Sequence, residues 1–199
     1  QSGRLDDAET VYAKLLAQAP RDPTVLINAG VLALSRGDVA AALTRLARGV
    51  EVVPNNAIAH GNLGFALLAA GRADDALAAL DRAVAIKPDF AQAHNHRGIA
   101  LERRGRRAEA RAAFERALAI VPAYTDAATN LGELANRDGE AAAARAAFLR
   151  IRGAPPTPAR AGLAFADAQD GRLDEARHAL EVLVAESPGS AALWQTLGT

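Results

Sequence analysis

Residues 57–90 read AIAHGNLGFALLAAGRADDALAALDRAVAIKPDF, and residues 91–124 read AQAHNHRGIALERRGRRAEARAAFERALAIVPAY. The two stretches agree at His60 and His94, Gly64 and Gly98, Leu67 and Leu101, Gly71 and Gly105, Ala76 and Ala110, Ala83 and Ala117, and Pro88 and Pro122, always 34 residues apart. A fixed period between about 20 and 50 residues is the mark of stacked supersecondary units. The repeat therefore decides the fold.

Each unit contains two helical patterns. Leu63, Gly64, Leu67 and Leu68 recur at helix spacing, and after a break so do Ala76, Leu77, Leu80, Ala83 and Val84. Gly71 stands where the first helix must stop, since glycine takes a left-handed conformation without steric cost. Pro88 closes the second helix, and the residue before a proline is pushed away from helix. Asn56 and Asp89 each supply a side-chain acceptor close to the next helix start. A connector of about two to four residues forces the two helices back antiparallel. Gly64, Ala76 and Ala83 read as seams where helix backbones approach closely, because an interior glycine costs roughly 0.5–1 kcal/mol without such a reason.

Outward from this pair the landmarks continue. Residues 23–56 form a unit with Gly30, Gly37, Ala42, Leu46 and Pro54 in place. Residues 125–156 carry Leu131-Gly132, Gly139, Ala144 and Phe148, with a second helix about two residues short. The shortening lies beside Gly153-Ala154-Pro155-Pro156-Thr157-Pro158, an irregular joint that cannot be helix interior. Residues 157–190 form another unit, with Ala164 in the place of the glycine. Residues 3–20 look like a lone second helix with Gly3 at the turn position, and residues 191–199 open a further unit with Leu197-Gly198. The expectation is one solenoid over residues 1–199, cut at both ends from a longer array without capping repeats.

These residues carry a family resemblance. The chain resembles the tetratricopeptide repeat, whose signature is Leu-Gly in the first helix, Ala-x-x-x-Phe in the second and a closing Pro. Leu63-Gly64, Ala76 with Leu80, and Pro88 stand in those places, and Ala110 with Phe114 and Ala144 with Phe148 match more closely. The family's tryptophan is replaced by His60 and His94, and its tyrosine by Leu67 and Leu101. The resemblance implies an all-α fold, a right-handed superhelix of antiparallel helix pairs whose first helices line a concave groove for a peptide or partner protein.

By the family's pattern that groove exposes the residues two before and one after the recurring glycine. The first set is Asn28, Asn62, His96 and Asn130; the second is Val31, Phe65, Ile99 and Glu133. A carboxamide both donates and accepts, so a column of them grips a peptide backbone whatever its sequence. The column is similar to the asparagine ladder of O-linked N-acetylglucosamine transferases; the bland alternative is that asparagine serves local packing there. Val31, Phe65 and Ile99 add an apolar strip, unless the next repeat covers them. Arg97 and Arg103 are assigned a rim contact with an anion. The two-carboxylate clamp of chaperone-binding relatives is not matched, because Ile27, Gly61, Asn95 and Thr129 stand where a lysine would be needed.

Composition excludes more than it identifies. With 23 basic and 23 acidic side chains the chain is formally neutral, so neither nucleic acid nor an anionic membrane is expected as partner. Arg103, Arg104, Arg106, Arg107 and Arg111 bracket the Gly105 turn and read as a solvated rim balanced by Glu102, Glu109 and Glu115. Apolar runs fall far short of the ~20 residues that cross a bilayer. There is no cysteine, hence no disulfide or thiol chemistry. The histidines are His60, His94, His96 and His178, with His60 and His94 about 10 Å apart by ordinary helix spacing, too far to share an ion. No cofactor, metal or catalytic grouping is expected. A cytoplasmic setting is favoured, although a leader ahead of a chain that opens mid-repeat is compatible with the pattern. The leading function is a binding scaffold. Two alternatives stand beside it: a recruiting arm of a glycosyltransferase or sulfotransferase whose catalytic domain lies elsewhere, and an assembly factor that self-associates through its end faces.

Overall fold

The computed structural model describes residues 2–190 and Leu193. In chain order the helices are α1 (Ser2–Gln18), α2 (Pro23–Ser35), α3 (Val39–Val52), α4 (Ala57–Ala69), α5 (Ala73–Ile86), α6 (Ala91–Arg103), α7 (Arg107–Ile120), α8 (Thr125–Arg137), α9 (Ala141–Phe148), α10 (Thr157–Gln169) and α11 (Leu173–Glu186). No strand occurs among the described residues. The fold is all-α, a solenoid built from helical hairpins. The chain divides into two compact units, residues 1–110 and 111–199, and the division falls in the first turn of α7.

In the first unit α2 pairs with α3 and α4 with α5; α1 rests on α2, α3 on α4, and α5 on α6. The turns are alike because the chemistry is alike. Gly37, Gly71 and Gly105 have φ of 78°, 75° and 73°, the left-handed region the repeat called for. After Gly71 the chain closes as a Schellman turn, with Gly71 N–H donating to Leu68 O at 3.0 Å and Arg72 N–H to Leu67 O at 2.9 Å. Second helices end before a proline: α3 stops at Val52 ahead of Pro54, α5 at Ile86 ahead of Pro88. The core runs along the seam, with Ile27, Ala33, Ala42, Leu46, Ala59 and Ala66 in one cluster and Leu67, Ala76, Leu80, Ala83 and Ala93 in the next.

The interior glycines do have a reason, though not the one expected. A Cβ built on Gly64 would lie 2.5 Å from Leu80 Cγ, and one on Gly30 would lie 2.6 Å from Leu46 Cγ. The space is filled by a side chain of the second helix rather than by its backbone. Arg45 of α3 ties three helices together: it pairs with Glu9 of α1 and donates to Ala29 O of α2 at 3.0 Å. The bonded guanidinium holds the Glu9 carboxyl below the usual range, against the smaller opposing effect of burial.

In the second unit α8 pairs with α9, α10 packs on both, and α11 pairs with α10. Here α9 has 8 residues where α3, α5 and α11 have 14, a larger loss than the two residues expected. The chain leaves the helix at Leu149 and turns, with Ile151 N–H on Phe148 O at 3.1 Å; then Gly153 at φ 87° and Pro155-Pro156 bar any return. Phe148 compensates for the missing turns. A Cβ on Gly132 would lie 2.5 Å from its ring and one on Gly162 2.3 Å, so the ring lies against a glycine on each of the two first helices. Arg145 adds a polar stitch from α9 to Asp167 of α10 at 3.0 Å.

Two further expectations are corrected. Gly3 is not a turn residue, because α1 already begins at Ser2. Asp89 does not cap α6: the N-cap position is Phe90, with no side-chain bond, whereas Asn56 accepts from Ala59 N–H at 3.0 Å and Asp22 from Val25 N–H at 2.9 Å. Phe90 uses its ring instead, packing where a Cβ of Gly61 would be, 2.8 Å from Cε1. The opening of a further unit at Leu197-Gly198 lies outside the described residues.

Candidate functional site: the first-helix faces

First helices touch one another within each unit, α2 with α4, α4 with α6, and α8 with α10. Among the described residues no comparable contact joins α3 to α5 or α9 to α11. The first helices therefore crowd together on one side of each local stack, and their outward residues share one face.

In the first unit that face carries the column expected from the repeat, unevenly exposed. Asn28 is exposed and Asn62 half-buried, and neither side chain has a hydrogen-bond partner among the described residues. Val31 and Phe65 are 38% and 42% exposed. His96 departs from the expectation of an exposed column: it is buried, its ring stacked on Phe65 with centroids 4.7 Å apart and planes 10° from parallel. An imidazole is large and flat enough to cover a neighbouring ring, which a carboxamide does less well. Ile99 is half-buried against the core that includes Leu67 and Leu68. The stack joins α4 to α6 and leaves Phe65 partly open to solvent.

In the second unit Asn130 and Glu133 of α8 are half-buried, and both are engaged within the protein. Glu133 borders an open groove of about 570 Å³ whose other walls are Asn136, Arg137, Pro158, Ala161 and Phe165. Phe165, 39% exposed, occupies the register of Val31 and Phe65. It was missed because Ala164 has replaced the glycine that marks the register; the position was legible by counting eight residues on from the start of α10. Asn136, six residues on from Asn130, points inward, donating to Gly162 O at 2.8 Å and receiving Gln169 Nε2 on its backbone carbonyl at 3.1 Å.

The arginines named as rim contacts are occupied. Arg97 Nε donates to Asp81 Oδ1 at 2.6 Å, and Arg103 donates to the Leu68 carbonyl. In the charge run around Gly105, Arg106 pairs with Glu109 at 2.7 Å as expected, while Arg104 and Arg111 reach other carboxylates, Asp74 at 2.7 Å and Glu140 at 2.8 Å. His60 and His94 share a role that the repeat explains. Each donates its Nε2 proton to the carbonyl of a closing proline, Pro54 at 2.9 Å and Pro88 at 3.0 Å, because a carbonyl can only accept. No described group of three or more His, Asp or Glu side chains could hold a metal ion. None of the described helices is long and apolar enough to cross a membrane.

Family models described as tetratricopeptide repeat match residues 1–56, 33–97, 91–124 and 157–181. The chain belongs to the tetratricopeptide-repeat family. A search of curated proteins returns no significant match. Among solved structures it is similar to PilW, a widely conserved type IV pilus biogenesis factor, at 20% identity and a TM-score of 0.86 over 100% of this chain and 92% of that one. PilF of Pseudomonas aeruginosa is similar at 18% identity and a TM-score of 0.84, over 100% and 91% of the two chains. YrrB, described as a TPR protein with an unusual peptide-binding site, is similar at 16% identity and a TM-score of 0.69, over 94% and 98%. These likenesses establish the fold.

Proposed function

We propose that the chain is a scaffold that holds a peptide or a segment of another protein along its first-helix face. One observation carries the reading. Asn28 and Asn62 stand at the same place on touching helices, uncommitted within the described residues, beside the exposed Val31 and Phe65. A solvent-facing carboxamide with no partner in the protein can both donate to and accept from the backbone of a ligand. The peptide-binding description of YrrB, a protein of the same fold, is consistent with it.

The test is a selection from a random-peptide display library on the intact chain, followed by titration of the enriched peptides. Replacing Asn28 and Asn62 together by alanine removes up to two hydrogen bonds of about 0.5–1.5 kcal/mol each. Affinity should fall by up to about five- to 150-fold. Enriched peptides that bind the double variant as tightly as the parent would end the proposal.

A further inference from the structure

Resting on that reading, we infer that the first-unit face accepts an extended polypeptide segment without charged side chains, one apolar side chain of which lies against Phe65. The first observation is electrostatic. Helices α2 and α4, PTVLINAGVLALS and AIAHGNLGFALLA, contain no lysine, arginine, aspartate or glutamate. On the neighbouring α6, Arg97 is held by Asp81 and Arg103 by the Leu68 carbonyl, and Glu102 is engaged within the protein. At the turn after α2, Arg36 is paired with Asp6, and at the turn after α4, Arg72 is paired with Asp75. A charged side chain laid on this face would lose water and gain no counter-charge.

The second observation selects extended chain over helix. A helix has already satisfied its own backbone groups and would cover Asn28 and Asn62 without bonding them, whereas an extended segment offers free N–H and C=O groups. Touching helices lie about 8–10 Å apart. At about 3.3 Å per residue, roughly three residues of extended chain span from one carboxamide to the next.

The third observation fixes the anchor. Phe65 is 42% exposed, yet its orientation is set by the His96 ring stacked at 4.7 Å. An aromatic side chain already ordered before binding loses little freedom when a ligand covers it. Phe65 is thus the specificity-determining contact, and His96 positions it.

The test uses the same display selection on the intact chain. Enriched peptides should be rich in Val, Leu, Ile and Phe and poor in Asp, Glu, Lys and Arg. Their affinity should change less than about twofold between about 0.01 and 0.15 M salt, over which the screening length falls from about 30 to 8 Å. Phe65→Ala should weaken them at least about tenfold, with circular dichroism unchanged. His96→Phe should retain binding that His96→Ala loses, because only the former preserves the stack. Charged enriched peptides with steep salt dependence would overturn this inference, and so would full affinity in Phe65→Ala. If such peptides still lose affinity in the double asparagine variant, the scaffold reading survives alone. Enrichment of no peptide would sink both.

Discussion

Gly64 shows how much rests on a missing methyl group. Its Cβ would fall 2.5 Å from Leu80 Cγ, and Leu80 itself is fully buried, so neither partner has free space to move into. Gly64→Leu should cost roughly 1–3 kcal/mol through overpacking. Arg104→Ala loses only an ion pair to Asp74 in which both side chains are more than half exposed, and should be neutral within about 0.5 kcal/mol. Urea unfolding of the two variants beside the parent gives the comparison, and a reversed order would show that the packing face has been wrongly assigned. The same scale explains why His96 left the exposed column. Its place in the repeat was readable, but its neighbour was not: a ring beside Phe65 is drawn into a stack, and stacking buries it.

At the scale of the element, helix starts in this chain fall into two chemical kinds. Asp22, Asp38 and Asn56 accept from the N–H three residues on, at 2.9, 2.9 and 3.0 Å. Helices α5, α6, α8 and α10 begin without any side-chain cap. Asp22→Ala should therefore lower the unfolding free energy by about 0.5–2 kcal/mol. Asp89→Ala should leave it unchanged within about 0.5 kcal/mol, because Asp89 stands one residue before the N-cap position that Asp22 occupies. Thermal melts of the two variants decide it; equal losses would mean that Asp89 caps after all. Helix α9 teaches the complementary lesson. Its eight residues are too few to be stable alone, and it is held by Phe148 set against Gly132 and Gly162.

For the whole molecule, repeat stacking makes stability depend on neighbours rather than on distance from a single centre. Within the first unit α4 is flanked by α3 and α5 and touches α2 and α6, whereas α1 rests on α2 and leaves Val11 and Leu15 55% and 38% exposed. Amide exchange should therefore be much faster in α1 than in α4, because local opening of a one-sided helix gives up little buried surface. Hydrogen-exchange mass spectrometry reads both segments at once, and equal protection would mean that α1 has a second packing partner. The sequence by itself determined the helical hairpin, its 34-residue period, the left-handed glycines and the proline stops, because each follows from local backbone sterics that recur wherever the residue recurs. Tertiary structure decided which carboxamides stay uncommitted, which ring covers which, and how an eight-residue helix is tolerated. Those outcomes depend on the side chain arriving from the adjacent hairpin, and a period read along one strand of letters does not contain it.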